Sequence, residues 1–379
     1  MSKQIIYKIS DLQNFFLNHL RPEEKWIIYR LFNNTCSPID ESINLQQLEQ
    51  FAISNGFGPL TYYTSRKILP ESLNSAFKTA YLRTLVENTQ IEQVIRLIQS
   101  FFKEADIPVL FLKGSVLAFT RYPDSALRPM SDVDVIVPAD KARKAFQLLQ
   151  QNGASGNWQS MNETDHHLPP LTFNSTLIEI HTRLFPVHAK FSALNKVVWT
   201  ETKQWKKDPL SLPGPSIIHH AFYIATHIYY NYKRGGIRLC WFYDLQMLNK
   251  DLTTLPSEAI KKKAIDLKLE EPLTFTGTLY SCITGTPLAN WPLFEEFLPS
   301  AKILNQVIKG FREGQQQDTR ESYQIIIEQI TNAPTLKLKL RIIIKRLTKN
   351  YRLKGWSLIK HFFTTLFRLL NYITHQAKK

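Results

Sequence analysis

Asp132 and Asp134 stand two residues apart in a run, from Asp132 to Val137, that alternates charged and apolar side chains. That alternation is the period of a β-strand, so both carboxylates fall on one face. Two carboxylates held side by side repel one another unless a cation joins them. Hard oxygen donors of this kind suit Mg²⁺, which takes one or two carboxylates together with substrate phosphates. A second alternating run, TLIEIHTR from Thr176 to Arg183, places Glu179 and His181 on one strand face with Leu177, and turns Ile178 and Ile180 the other way. In isolation Glu179 reads as a solvent-facing residue of an amphipathic strand. A third carboxylate on a strand beside the first two is, however, what a two-metal phosphoryl-transfer centre requires.

Lys113-Gly114-Ser115 follows the apolar run PVLFL and precedes a helical stretch. Glycine at such a junction permits close backbone approach, the helix start offers N–H groups and the positive end of a dipole, and Ser115 adds a hydroxyl. Lys113 supplies a cation for phosphate. Arg128 has two readings: a guanidinium swung toward phosphate, whose oxygens it fits bidentately, or an ion pair with nearby Asp124. His166-His167 either border the pocket or sit on a surface loop. His219, His220 and His227 match no zinc-protease spacing, and core or pocket-lining roles are expected for them. Arg238 and Asp244 flank a helix start after Gly235-Gly236 and read as a structural pair or as acceptor-binding groups.

The elements that must position these residues follow from periodicity. Helices are expected at about 11–20, after Pro22, at Ile43–Ser54 and Pro59–Ile68, and over the long segment Ser72 to Ala105, where Leu82, Leu85, Val86, Ile91, Val94, Ile95 and Ile98 recur at spacings of three and four. A β-α-β-α-β-β order follows: strands at Pro108–Leu112, Asp132–Val137, Leu171–Asn174 and Thr176–Arg183, with helices at Gly114–Arg121 and Ala139–Gln151 and a tight turn at Asn174-Ser175. After Pro213-Gly214-Pro215 the chain is helical again. The expected class is α+β, a small mixed sheet flanked by helical regions. The segments are an N-terminal helical region 1–106, an α/β core 107–212, a C-terminal helical region 213–334 and a basic tail 335–379.

Composition narrows the classes. With 44% hydrophobic and 12% aromatic residues the chain is globular. Three cysteines without CxxC spacing argue against a disulfide framework or structural zinc site, and point to a reducing compartment. The N-terminus lacks the pattern of a secretion signal and no run is long and apolar enough for a membrane span, so a cytoplasmic protein is expected. The net charge of +15 is concentrated in the tail: residues 335–379 hold twelve Lys/Arg and no Asp/Glu. There, basic residues interleave with Trp356, Phe362, Phe363 and Phe367, which gives three readings: a helix packed on its own domain, a membrane-surface helix, or an RNA-binding arm.

Lys113-Gly114, Tyr122, Arg128, Asp132-Val133-Asp134 and Ile178-Glu179-Ile180-His181 together resemble the nucleotidyltransferase superfamily with a DNA-polymerase-β-like core. More narrowly, they resemble a family of uncharacterised nucleotidyltransferases. The resemblance spans Pro108 to Phe185 and continues faintly through His219, His227, Arg238 and Asp244. It implies that Lys113, Gly114, Ser115 and Arg128 bind the triphosphate of an NTP, ATP foremost. It further implies that Asp132, Asp134 and Glu179 ligate two Mg²⁺ ions and that Glu179 helps deprotonate the acceptor hydroxyl. His181, His227, Arg238 and Asp244 would border the acceptor. One departure is visible: 18 residues separate Gly114 from Asp132, more than is usual in the superfamily. A rival expectation is a non-catalytic protein of the same fold that docks on membrane or RNA through its tail; a toxin-like transferase acting on tRNA or protein is a third.

Overall fold

The computed structural model describes residues 11–348, apart from 12, 34, 36–37, 160–164, 188, 235, 295–298, 314–328, 332 and 334. After a helical stretch at 13–18, which buries Phe16 and Leu17, come helices α1 (Pro22–Phe32), α2 (Leu45–Ser54), α3 (Gly58–Ser65) and α4 (Glu71–Glu104). Pro22 sits in the first turn of α1, where its missing N–H costs nothing, and Asn44 caps α2 by accepting the Gln47 N–H. Helix α4 buries Ile91, Val94, Ile95 and Ile98, the periodic stripe expected of it, but its Leu82 and Val86 stay exposed.

The α/β segment contains β1 (Leu110–Phe111), α5 (Gly114–Thr120), β2 (Asp132–Ile136), α6 (Ala142–Gln151), β3 (Leu171–Phe173) and β4 (Thr176–His181). The four strands form one sheet in the order β1-β2-β4-β3. Strands β2 and β4 are parallel at its centre, and the two outer pairings are antiparallel. This is the small mixed sheet the sequence predicts. Burial of Val133, Val135, Ile178 and Ile180 on one face fixes the register, because a slip of one residue would exchange them for the acids. Asn174 and Ser175 both take positive φ, the geometry of a two-residue hairpin turn between β3 and β4.

A second, two-stranded sheet, β5 (Thr202–Lys207) with β6 (Leu210–Pro215), falls where no strand is expected. It follows the short helix α7 (Leu194–Val197) and buries Trp205 against helix α8 (Ile217–Lys233), where the Trp205 and His220 rings meet edge to face. Helices α9 (Leu239–Leu252), α10 (Ser257–Asp266), α11 (Glu270–Thr284) and α12 (Ala301–Glu313) complete the body. One continuous apolar core runs from Phe16 to Phe311 and includes both helical regions and the sheet.

Helix α13 (Leu336–Thr348) buries Leu338 and Ile342 against Ala333, with Val187 and Ile330 beside them, while Leu336 and Leu340 face outward. The tail reading built on Tyr351 to Tyr372 lies outside the described residues. Among the described residues no helix is long and apolar enough to cross a membrane.

Candidate active site

Parallel pairing of β2 with β4 sets Asp134 directly opposite Glu179 and Asp132 opposite Leu177. The three carboxylates therefore share one sheet face, and His181 stands one pleat beyond Glu179 on the same strand. The side chain of His181 is only 2% exposed, and its Nε2–H donates to Asp134 Oδ1 at 2.8 Å, with Glu179 Oε2 at 3.6 Å. From the other side Lys113 Nζ lies 3.2 Å from both oxygens of Asp134.

These neighbours set the protonation of the acids. Burial alone would raise the Asp134 carboxyl, but the Lys113 ammonium and the His181 ring more than reverse that, holding it well below the usual carboxylate range. The His181 ring close beside it likewise lowers Glu179. Asp132 goes the other way: burial and repulsion from Asp134 outweigh Lys113 and raise it. Asp134 is the charge anchor of the site, and Asp132 is its strained member.

The Lys113 backbone explains how its ammonium reaches Asp134. It adopts φ 49 and ψ −127, a region that residues with a Cβ rarely enter. Its N–H donates to His220 Nε2 at 2.9 Å, which ties the strained turn to α8. Burial, with the charges of Arg121 and Lys113, depresses His220 to about 3, so the ring is neutral and can accept. Ser115, expected to offer its hydroxyl to phosphate, is buried, and its Oγ accepts the Asp134 N–H at 2.9 Å. What it does in this structure is hold the acid-bearing strand.

Gly114 leaves room for Met130 and Arg128 to pack close against the turn. A Cβ there would lie 2.9 Å from Met130 Sδ and 3.1 Å from the Arg128 guanidinium. Arg128 is not paired with Asp124. It forms a bidentate pair with Asp244, Nη2–Oδ2 at 2.8 Å and Nε–Oδ1 at 3.2 Å, and Tyr122 Oη donates to the same carboxylate at 2.8 Å. Asp244 thus works as the buried seat of Arg128, and the expected Arg238–Asp244 pairing gives way to this one. Asp124 instead caps the 3₁₀ turn Ser125–Leu127 and accepts from Tyr81 of α4. Asn88, also on α4, donates to the carbonyls of Ser125 and Arg128. The long stretch between Gly114 and Asp132 is consequently an ordered brace that carries Arg128 to the turn.

Above the acids opens a cavity of about 690 Å³, within the range of small-molecule sites. Lys113, Gly114, Ser115, Arg128, Asp132, Asp134, Glu179, His181, His227 and Arg238 all border it, so every expected site residue except Asp244 reaches it directly. His166 borders it as well, its ring depressed to about 2 by burial and by His181. Sequence reasoning missed Tyr223, Tyr230, Arg234 and Trp241. Tyr223 and Tyr230 share α8 with His227 and Arg234 caps its C-terminus, and the spacing 223, 227, 230, 234 was the available signal, a helix face with polar and aromatic members among apolar ones. Arg234 stacks over the Tyr230 ring at 4.8 Å, and Trp241 meets the His227 ring at 4.9 Å.

A mixed sheet whose central parallel strands carry paired acids under a cation-rimmed cavity is the arrangement that the resemblance to nucleotidyltransferases implied. Residues 41–285 match the model of the uncharacterised nucleotidyltransferase family, and the chain belongs to that family. No curated protein and no solved structure matches it.

Proposed function

We propose that this protein transfers a nucleoside monophosphate from an NTP, with ATP the expected donor, to an acceptor hydroxyl in a Mg²⁺-dependent reaction. The observation that carries this reading is the register of β2 and β4, which sets Asp134 against Glu179 with Asp132 on the same face at the base of the cavity. The donor set fits divalent cations: ligand atoms of Asp134, Glu179 and His181 lie within 4.8 Å of one another, and Asp132 and Glu179 have no lysine or arginine partner among the described salt bridges. Asp132, Asp134 and Glu179 would hold two ions, which when bound neutralise phosphate charge and polarise the reacting oxygens.

The chain's own groups do the rest. Arg128, fixed by Asp244, and Lys113 bind the triphosphate above Gly114. Glu179, held as a carboxylate by His181, accepts the proton of the acceptor hydroxyl. The acceptor oxygen bonds to the α-phosphorus as the bond to the bridging oxygen breaks, and pyrophosphate leaves. Tyr230, Arg234, Arg238 and Trp241 border the volume left for the acceptor. Positioning of two reactants in one enclosed site supplies much of the rate.

The test is incubation with each labelled NTP, Mg²⁺ and host lysate, sorting label into small-molecule, RNA and protein fractions, alongside Asp132→Asn and Glu179→Gln. Label should appear in one fraction and vanish with either variant. Full activity in both variants, or no Mg²⁺-dependent label in any fraction, would sink the reading.

A further inference from the structure

His181 is more than a neighbour of the acids. Its ring is almost wholly buried and its polar contacts are to Asp134 and Glu179; among the described residues Nδ1 meets no hydrogen-bond partner. His166 and His167 pack around it with ring centres 5.5 Å away, and His167 Nδ1 is engaged with the Leu168 carbonyl. The edge of the ring that carries Nε2 is thus aimed between the two carboxylates. A residue that served only to fill the sheet would not need a nitrogen there.

The distances suit a shared ion. A cation with bonds of about 2.1 Å sets neighbouring donors about 3 Å apart and opposite donors about 4.2 Å apart. Here Nε2 is 2.8 Å from Asp134 Oδ1 and 3.6 Å from Glu179 Oε2, both near the spacing of neighbouring donors, and the three groups lie within 4.8 Å of one another, so that a small contraction would complete the shell. Asp132 stands outside this triad, toward the cavity. Oxygen donors alone suit Mg²⁺, whereas an imidazole nitrogen shifts preference toward first-row transition ions, of which Mn²⁺ best keeps the octahedral, carboxylate-rich shell.

We propose that His181 Nε2 is a direct ligand of the cation held by Asp134 and Glu179, which makes this a mixed oxygen–nitrogen site that prefers Mn²⁺ to Mg²⁺. The inference rests on the metal-dependent reading above and adds to it the third protein donor and the class of ion. On binding, the imidazolium would give its Nε2 proton to water and keep the one on Nδ1, so that a neutral imidazole offers its Nε2 lone pair to the ion.

Pulsed electron paramagnetic resonance of the full chain, stripped of metal and given less than one equivalent of Mn²⁺, tests this without any reaction being run. Bound Mn²⁺ should show a directly coordinated ¹⁴N coupling, replaced by ¹⁵N coupling when the protein is made with ¹⁵N-histidine. His181→Gln should remove the coupling and weaken Mn²⁺ binding at least tenfold, while Mg²⁺ binding changes less. A labelled wild-type protein that binds Mn²⁺ without histidine coupling overturns the proposal even if the variant folds poorly. Bound Mn²⁺ with no histidine coupling, a coupling that persists in His181→Gln, or no Mn²⁺ binding at all would each overturn the proposal. Mg²⁺-dependent nucleotide transfer by the same preparation reports separately on the function, so the loss of one claim is not mistaken for the loss of the other.

Discussion

Arg128 and Asp244, 116 residues apart in the chain, form a buried bidentate ion pair that joins the brace before β2 to helix α9. Two well-aligned hydrogen bonds offset the desolvation of both charges, and Tyr122 occupies a further lone pair of the carboxylate. The pair fixes the guanidinium beside Gly114 before any ligand arrives.

Removing one partner should therefore be far worse than removing both. Asp244→Leu leaves a buried guanidinium uncompensated and should cost about 3–5 kcal/mol, whereas Arg128→Met with Asp244→Leu should recover much of that. Urea denaturation of the single and double variants measures it. Equal destabilisation in the two would mean that the pair contributes no coupling. Both variants should lose nucleotide affinity, since Arg128 is displaced or absent in each.

Asp132→Asn separates chemistry from stability. The carboxyl is raised by burial and by Asp134, so its ionised form opposes folding at neutral pH. A group of that sign contributes stability that is present at low pH and lost as pH rises through its folded pKa. The amide should raise the melting temperature slightly at pH 7 and reduce transfer by at least about a hundredfold, the scale of removing a group that acts in the transition state. Asp134→Asn should instead lower stability, because it strands Lys113 and His181.

At Lys113 the backbone and the side chain can be tested apart. Because φ is 49 and ψ is −127, Lys113→Gly should be more stable than Lys113→Ala by about 1–3 kcal/mol, the cost of holding a Cβ in that region. Both should lose transfer activity. Thermal denaturation gives the difference, and an alanine variant equal to glycine would remove the claim of strain.

His220 predicts an acid transition. Its folded value is depressed from 6.5 to about 3, so the unfolded chain takes up a proton that the native ring refuses. The stability is fully present above pH 6.5 and is lost as pH falls from there toward 3. His220→Gln, which keeps an acceptor for the Lys113 N–H, should flatten that decline, measured as urea midpoints between pH 7 and 4. His227 and His166, also depressed by burial, will leave a residual slope.

Much of the site was legible because its chemistry follows strand periodicity. The two-residue spacing of Asp132 and Asp134, and the apolar counter-face of Ile178 and Ile180, were enough to place three acids on one face of a mixed sheet. What pairs with Arg128 was not legible. Asp124 was the near choice, but local capping of a 3₁₀ turn claimed it, and Asp244 is brought in only by tertiary packing. The β5–β6 hairpin was hidden by the lysines of β5, which leave Trp205 as its one buried side chain, and by the prolines of β6, which mask the alternating burial of Leu210 and Leu212. Tyr223 and Tyr230 of the α8 wall were not singled out, because aromatic residues on a largely apolar helix look like core, and their place at a cavity depends on what stands opposite.

The parallel pairing of β2 with β4 has a consequence for how the protein comes into being. Asp134 and His181 are 47 residues apart, and parallel neighbours must be joined by a crossover that closes before their ladder rewards it. A chain still emerging from the ribosome, with β2 made and β4 not yet released, carries two acids and no third donor. If the proposed site holds a cation, its full donor set would exist only once the crossover has docked, and cation occupancy would report completed assembly of the sheet.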